Sequence, residues 1–298
     1  MIQDFVKQLE PLPHKSKLII FGGGYSGQKI ASVGRNLGVK VLCSRRKIGS
    51  TGADFIFNSD KELSNEILEG ATHVLSSIPP LLNGKDPVLS TLKTQLLNLK
   101  NLKWVGYLST TGVYGDTQGA WVNENTSPNP QQDRSIRRFS CEKEWLETKL
   151  PIQILRLPGI YGPKRSAFES LLNGTAKMID KPGQIFSRIH VDDIAVAVLF
   201  LINMYALGKN PSVINVADDL PTNNLEVIHY AAKLVKKSLP PTVPFQIAKK
   251  TMSPMALSFW QENRRVDNNL LCKKLGYSLI YPDFKAGLKN CYSKLKLN

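Results

Sequence analysis

The stretch KLIIFGGGYSGQKIA, residues 17–31, decides how the chain is read. Five residues of strand character run into glycines at the spacing Gly22-x-Gly24-x-x-Gly27, and a helix-forming stretch follows at once. In that context each glycine has its own physical purpose: a tight turn, close approach of the backbone to a pyrophosphate, and close contact of helix with strand. The helix N-terminus adds unpaired N–H groups and a partial positive charge facing the phosphates. The expectation is a dinucleotide site at Gly22, Gly24, Tyr25, Ser26 and Gly27.

On either side of the next turn the same alternation continues. KLIIF, VKVLC, DFIF, HVLSSI, WVGYLS and IQILRL read as strands, with helical stretches at GQKIASVGRNLG and near 62–69, 88–99 and 136–150. Strands alternating with helices predict an α/β, Rossmann-type, doubly wound parallel sheet. After Pro158 the pattern loosens into Gly/Pro-rich loops, with a later strand at SVINVA and a helix at LEVIHYAAKLVKKSL. The organisation expected is a nucleotide-binding domain over residues 1–157 and, over 158–298, mainly a smaller C-terminal substrate lobe, with segments near 185–220 returning to the sheet.

The second strand ends in SRRK, where an acidic residue would hold the ribose 2′-hydroxyl of NAD. Ser44, Arg45 and Arg46 instead offer a hydroxyl and two guanidiniums, which suit the 2′-phosphate of NADP. NADP is the expected cofactor, with NAD the alternative.

Composition narrows the class further. With 298 residues and 42% hydrophobic side chains, there is ample material for a large core. Cys43, Cys141, Cys272 and Cys291 are scattered without a CxxC pair, which argues against a disulfide framework or a zinc site and for a reducing cytosol. The opening MIQDFVKQLEPLPHKSK lacks the pattern of a signal peptide. The apolar run IAVAVLFLINMYAL has 14 residues where a bilayer span needs about 20, so it reads as a buried helix. Net charge is +15, and residues 231–298 carry 13 Lys/Arg against 3 Asp/Glu. These cations are dispersed among apolar residues, with no nucleic-acid-binding motif beside them, so a basic face that attracts small anions is expected instead. The partner is then a small, anionic molecule; neither nucleic acid nor membrane is expected.

Four further stretches, LSTTGVYG (108–115), LRLPGIYGP (155–163), RIHVDDIA (188–195) and ENRRVDNNLLCKKLGYSLIYPDFKAGL (262–288), follow the glycine turn in order. With them the chain resembles the extended short-chain dehydrogenase/reductases, in their nucleotide-sugar epimerase/dehydratase branch, over nearly its full length. The resemblance implies an oxidoreductase or epimerase, a monomer or homodimer, with a Rossmann sheet for NAD(P) and a lobe closing over substrate. It places Thr110 where a hydroxyl holds the reacting oxygen, and Ser76 and Ser77 beside the nicotinamide ribose. A hydroxyl at the C-terminal end of a parallel strand is, independently, on the ligand-binding face of such sheets. His190 and the two aspartates after it read as a strand-to-helix corner.

One departure matters for function. The family's acid/base pair, Tyr-x-x-x-Lys, lies eight and four residues before a glutamate; counting back from Glu142 gives Arg134 in the tyrosine place and Arg138 in the lysine place. Residues four apart share a helix face, so the geometry survives. Arginine does not deprotonate in proteins, so the proton shuttle does not. The pair is expected to clamp an anion, with a solvated helix face as the alternative, and a non-catalytic sensor of NADP(H) stands beside the enzyme reading. Tyr114 stays open as a nearby phenol.

Overall fold

A seven-stranded parallel sheet organises the chain, as seen in a computed structural model that describes residues 12, 13, 15–47, 52–61 and 63–295. Its first half runs β1 (Lys17–Phe21), α1 (Tyr25–Asn36), β2 (Lys40–Arg45), β3 (Phe55–Ile56), α2 (Asn65–Leu68), β4 (His73–Ser76), α3 (Pro87–Leu97), β5 (Trp104–Thr110), β6 (Trp121–Val122), α4 (Asp133–Leu146) and β7 (Ile152–Leu157). The second half runs β8 (Gly159–Tyr161), α5 (Ala167–Leu172), β9 (Met178–Asp180), β10 (Arg188–His190), α6 (Val191–Ala206), β11 (Val213–Asn215), α7 (Asn224–Val235), β12 (Thr242–Pro244), α8 (Phe245–Ala248), α9 (Pro254–Gln261), β13 (Arg265–Val266) and α10 (Phe284–Lys294). The sheet order is β11-β7-β5-β4-β1-β2-β3, so the chain starts in the middle and winds outward both ways.

Strand β1 shows why both faces must be covered. All five residues are buried. Leu18 and Ile20 point into the cluster built with α1 and α6, while Ile19 and Phe21 point into the cluster built with α3 and α4. Helix α6 is apolar on nearly every side because the sheet lies beneath it and Tyr277, Ile280 and Tyr281 pack over it. Among the described residues, no helix is long and apolar enough to cross a membrane. A third cluster joins α5, α7 and α10 through Phe168, Val227, Ile228, Phe284 and Leu288. Strand β11 pairs in parallel with β7 at the sheet edge, so the chain returns to the sheet after its first excursion.

Two helices differ in extent from the sequence reading. The one near 62–69 is cut to Asn65–Leu68, where Gly70 at φ 68° turns the chain away, and residue 62 lies outside the described residues. The one read from 136 starts three residues earlier, with Asp133 in its first turn facing the positive end of the helix dipole.

Candidate functional site

The glycine turn is held by the protein's own atoms except at one point. Gly22, at φ 101°, donates its N–H to Ser44 Oγ at 3.0 Å and accepts from Ser77 Oγ at 2.6 Å. A Cβ on Gly27 would stand 2.1 Å from the Gly22 carbonyl oxygen, so only glycine lets α1 approach β1 this closely. A Cβ on Gly24 would meet nothing within 4 Å. Gly24 is also the N-cap of α1, where no side chain caps the free N–H groups and the first turn, which holds Tyr25, Ser26 and Gly27, has no acidic residue. This is a cradle whose donors await an anion, and it fits a dinucleotide pyrophosphate.

The other expected cofactor residues divide into two sets. Ser44 is buried and its hydroxyl is taken by Gly22, and Ser77 is likewise tied to the turn, so both shape the turn with their own hydrogen bonds. Arg45 at the end of β2 is half-buried with its Nε lacking any partner, and Arg46 beside it is exposed. Ser76 is fully buried at the end of β4, and its hydroxyl also lacks a partner.

Beside the turn lies a cleft of about 710 Å³. The structure brings Thr110, Arg134 and Arg138 together in its wall, with Arg137, Arg165, Arg188 and Arg264. Against these six arginines, one carboxylate lines the cleft, Glu262. It is buried, it accepts from Arg264 Nη1 at 2.7 Å through Oε2, and its Oε1 has no partner. Arg134 lies 4.0 Å over the Phe259 ring; burial lowers its pKa, with Glu262 opposing and Arg264 reinforcing. Arg138 is more committed, since its Nη1 donates to the Ile78 carbonyl at 3.1 Å and the Tyr107 hydroxyl at 2.9 Å. Thr110 Oγ1 accepts from the Gly112 N–H at 3.1 Å.

Two bridges join cleft and turn. Ser77 bonds Gly22, Arg138 holds Ile78, and Pro79 and Pro80 line the cleft, so one short segment runs from one site to the other. On the other side the Tyr25 hydroxyl donates to the Pro163 carbonyl at 2.9 Å, and Arg165 sits 5.6 Å over its ring. Burial raises the Tyr25 pKa, with Cys291 adding and Arg165 opposing, which keeps that phenol a donor.

Tyr114 does not face this cleft. It is buried, its hydroxyl donates to Asn215 Oδ1 at 2.8 Å, and Arg156 lies 4.8 Å over its ring. Arg156 in turn forms a buried ion pair with Glu142 at 2.7 Å, and Ser109 Oγ donates to the same carboxylate at 2.5 Å. Thus the glutamate used to count back to the arginines anchors α4 to β5 and β7. His190 is the N-cap of α6: its Nδ1 accepts from the Asp192 N–H, and burial pushes its pKa down to about 4. Sequence reasoning missed Arg165, Arg188, Arg264 and Glu262; the last three stood inside the quoted RIHVDDIA and ENRRVD stretches, but nothing in their spacing showed that separate loops converge on one cleft.

No protein-family model and no curated protein matches the chain. Among solved structures, a functionally unknown conserved protein from Silicibacter pomeroyi is 38% identical, with a TM-score of 0.83 over 93% of this chain and 98% of that one. That identity over that span shows common family. The chain belongs to one family with that protein of unknown function. The fold is shared more widely. The UDP-glucuronic acid 4-epimerase from Bacillus cereus in complex with NAD is 18% identical, with a TM-score of 0.71 over 93% of this chain and 96% of that one. The human epimerase family protein SDR39U1 (isoform 2) with NADPH is 16% identical, with a TM-score of 0.74 over 94% of this chain and all of that one. In this chain the α4 positions eight and four residues before Glu142 are arginines, and no lysine lines the cleft among the described residues.

Proposed function

We propose that the chain is an NADP(H)-binding oxidoreductase of the epimerase/dehydratase type, acting on a small anionic or nucleotide-linked substrate without a Tyr-x-x-x-Lys pair. The observation that carries this reading is a cleft with six arginines against one carboxylate, joined to an uncapped helix N-terminus behind a glycine turn. A nicotinamide dinucleotide, when bound, supplies hydride transfer. The turn at Gly22, Gly24 and Gly27, with the N–H groups at Tyr25 and Ser26, would hold its pyrophosphate, and Ser76 and Ser77 would border its ribose. Arg45 and Arg46 would hold a 2′-phosphate, with the partnerless Nε of Arg45 as the structural support. Thr110 would hold the reacting oxygen, while Arg134 and Arg138 clamp an anion. Residues 1–157, with the return near 185–220, would bind cofactor, and the remainder of 158–298 would cover substrate. Four free cysteines fit a reducing cytosol as the place of work.

Calorimetric titration with NADPH and NADH tests the cofactor assignment. NADPH should bind at least about tenfold tighter, and Arg45→Ala should remove most of that preference. Equal affinities would refute the NADP assignment, and failure of both to bind would refute the dinucleotide site. A second reading, an NADP(H) sensor without turnover, is favoured by one observation: the cleft lining holds neither lysine nor histidine. Oxidation of NADPH with any member of a nucleotide-sugar panel decides for the enzyme.

A further inference from the structure

We propose that the ligand of the arginine cleft is an amphiphilic anion, its charged group held at Arg165 and Arg188 and its apolar portion seated in an annex that opens off the cleft. This rests on the reading of the cleft as an anion site. The annex measures about 350 Å³ and shares Tyr161, Arg165, Arg188 and Asn224 with the cleft, so the two adjoin at these four residues.

Beyond that shared rim the walls change character. Ala167 of α5, Val227 and Ile228 of α7, and Phe284 and Leu288 of α10 form them, all from the cluster that fills the C-terminal lobe. The hydroxyls are committed elsewhere: Ser166 Oγ donates to Glu169 at 2.8 Å, Ser170 Oγ to the Ala167 carbonyl at 3.0 Å, and Tyr161 to the Asp283 carbonyl at 3.3 Å. A sugar placed there would lose water and find few partners, whereas a hydrocarbon or aromatic group would lose nothing.

The rim is the opposite. Arg165 is exposed and sits over the Tyr25 ring, and among the described residues its guanidinium makes no hydrogen bond or ion pair. Arg188 is fixed, with Nη1 donating to the Phe186 carbonyl at 2.9 Å and the Thr222 carbonyl at 2.8 Å. No acidic side chain lines the annex. A charged head at two arginines with an apolar tail behind them matches both surfaces at once.

The test is calorimetric titration of the full chain, with and without NADPH, by inorganic phosphate, glucose 1-phosphate and hexyl phosphate. Hexyl phosphate should bind about tenfold tighter than inorganic phosphate, the gain expected when about two methylenes leave water, and glucose 1-phosphate should show no such gain. Ala167→Phe and Ser170→Trp, which fill the annex from two positions, should each abolish the gain. The proposal is overturned if hexyl phosphate binds no tighter than phosphate, if glucose 1-phosphate gains as much, if none of the three binds, or if the gain survives in either correctly folded variant. Should NADPH fail to bind, the dinucleotide reading falls, while the comparison of the three phosphates still decides for or against the annex.

Discussion

Substituting Gly24 by valine separates cofactor binding from folding, because the structure gives the two effects different sizes. Gly24 has φ −72° and ψ −162°, an extended conformation that any L-residue adopts, and a Cβ there would touch nothing within 4 Å. Its cost to folding is therefore that of changing an N-cap glycine, about 1 kcal/mol or less. Its cost to binding is larger. A side chain there stands in the space a pyrophosphate must enter to reach the first-turn N–H groups, and each charge-assisted bond lost is worth about 1.5–3 kcal/mol. Two such losses amount to about 3–6 kcal/mol, or roughly a hundredfold to ten-thousandfold weaker binding. Gly27→Ala is the contrasting control, since its Cβ would lie 2.1 Å from the Gly22 carbonyl oxygen and must force the backbone apart. That variant should lose stability as well as binding. Thermal melting followed by calorimetry with NADPH reads both quantities on one sample. If Gly24→Val melts like the wild type and binds NADPH within twofold of it, the open space above Gly24 is not the path of a pyrophosphate.

Two further outcomes test the framework around the cleft. Glu142→Gln leaves Arg156 buried beside an uncharged amide that has one acceptor oxygen to share between Arg156 and Ser109, so urea unfolding should show a loss of about 3–5 kcal/mol, and a loss below about 1 kcal/mol would mean the pair contributes little. His73 is buried, and burial, with Lys103 adding, pushes its pKa from 6.5 down to about 4. Between pH 6.5 and 4 the unfolded chain therefore binds a proton at this site that the folded chain refuses. Its contribution is whole above 6.5, falls as the pH drops, and stops changing below about 4, about 3 kcal/mol in all. His73→Gln should flatten stability against pH in that window, and an unchanged slope would show that His73 is not held neutral.

The alternation of strands and helices was legible because burial writes directly into sequence: KLIIF and IQILRL carry apolar residues on both faces, and helices of 12, 11 and 14 residues follow β1, β4 and β5. The glycine turn was legible for the same reason, since clashes with backbone leave no alternative at Gly27. What stayed hidden were the uses of hydroxyls. Ser44 and Ser77 stand where a ribose would lie, yet both are spent on Gly22, a choice set by distances of 3.0 and 2.6 Å that no spacing encodes. The cleft was half-legible. Arg134 and Arg138 follow from helical periodicity, but Arg165, Arg188 and Arg264 reach the same space from three different segments.

Two guanidiniums one helical turn apart need not do the same work. Glu142 keeps its anchoring role, so α4 is fixed by its buried ion pair whatever stands eight and four residues before it. Arg138 then uses its reach to bind Ile78 and Tyr107, which ties the segment after β4 to β5 and to α4. Arg134 makes no ion pair or hydrogen bond among the described residues; it lies over the Phe259 ring and lines the cleft. One arginine thus already holds two protein acceptors through Nη1 while its neighbour one turn earlier holds none among the described residues, although the sequence presents them as equals. Six arginines against one carboxylate among the described lining residues give the cleft a field that favours an incoming anion over a neutral carbonyl. Because guanidinium charge is constant wherever the fold survives, that preference follows the ionisation of the ligand and not of the protein. A site built this way would select its ligand by charge first, with Glu262, whose Oε1 has no partner among the described residues, as the carboxylate in its lining.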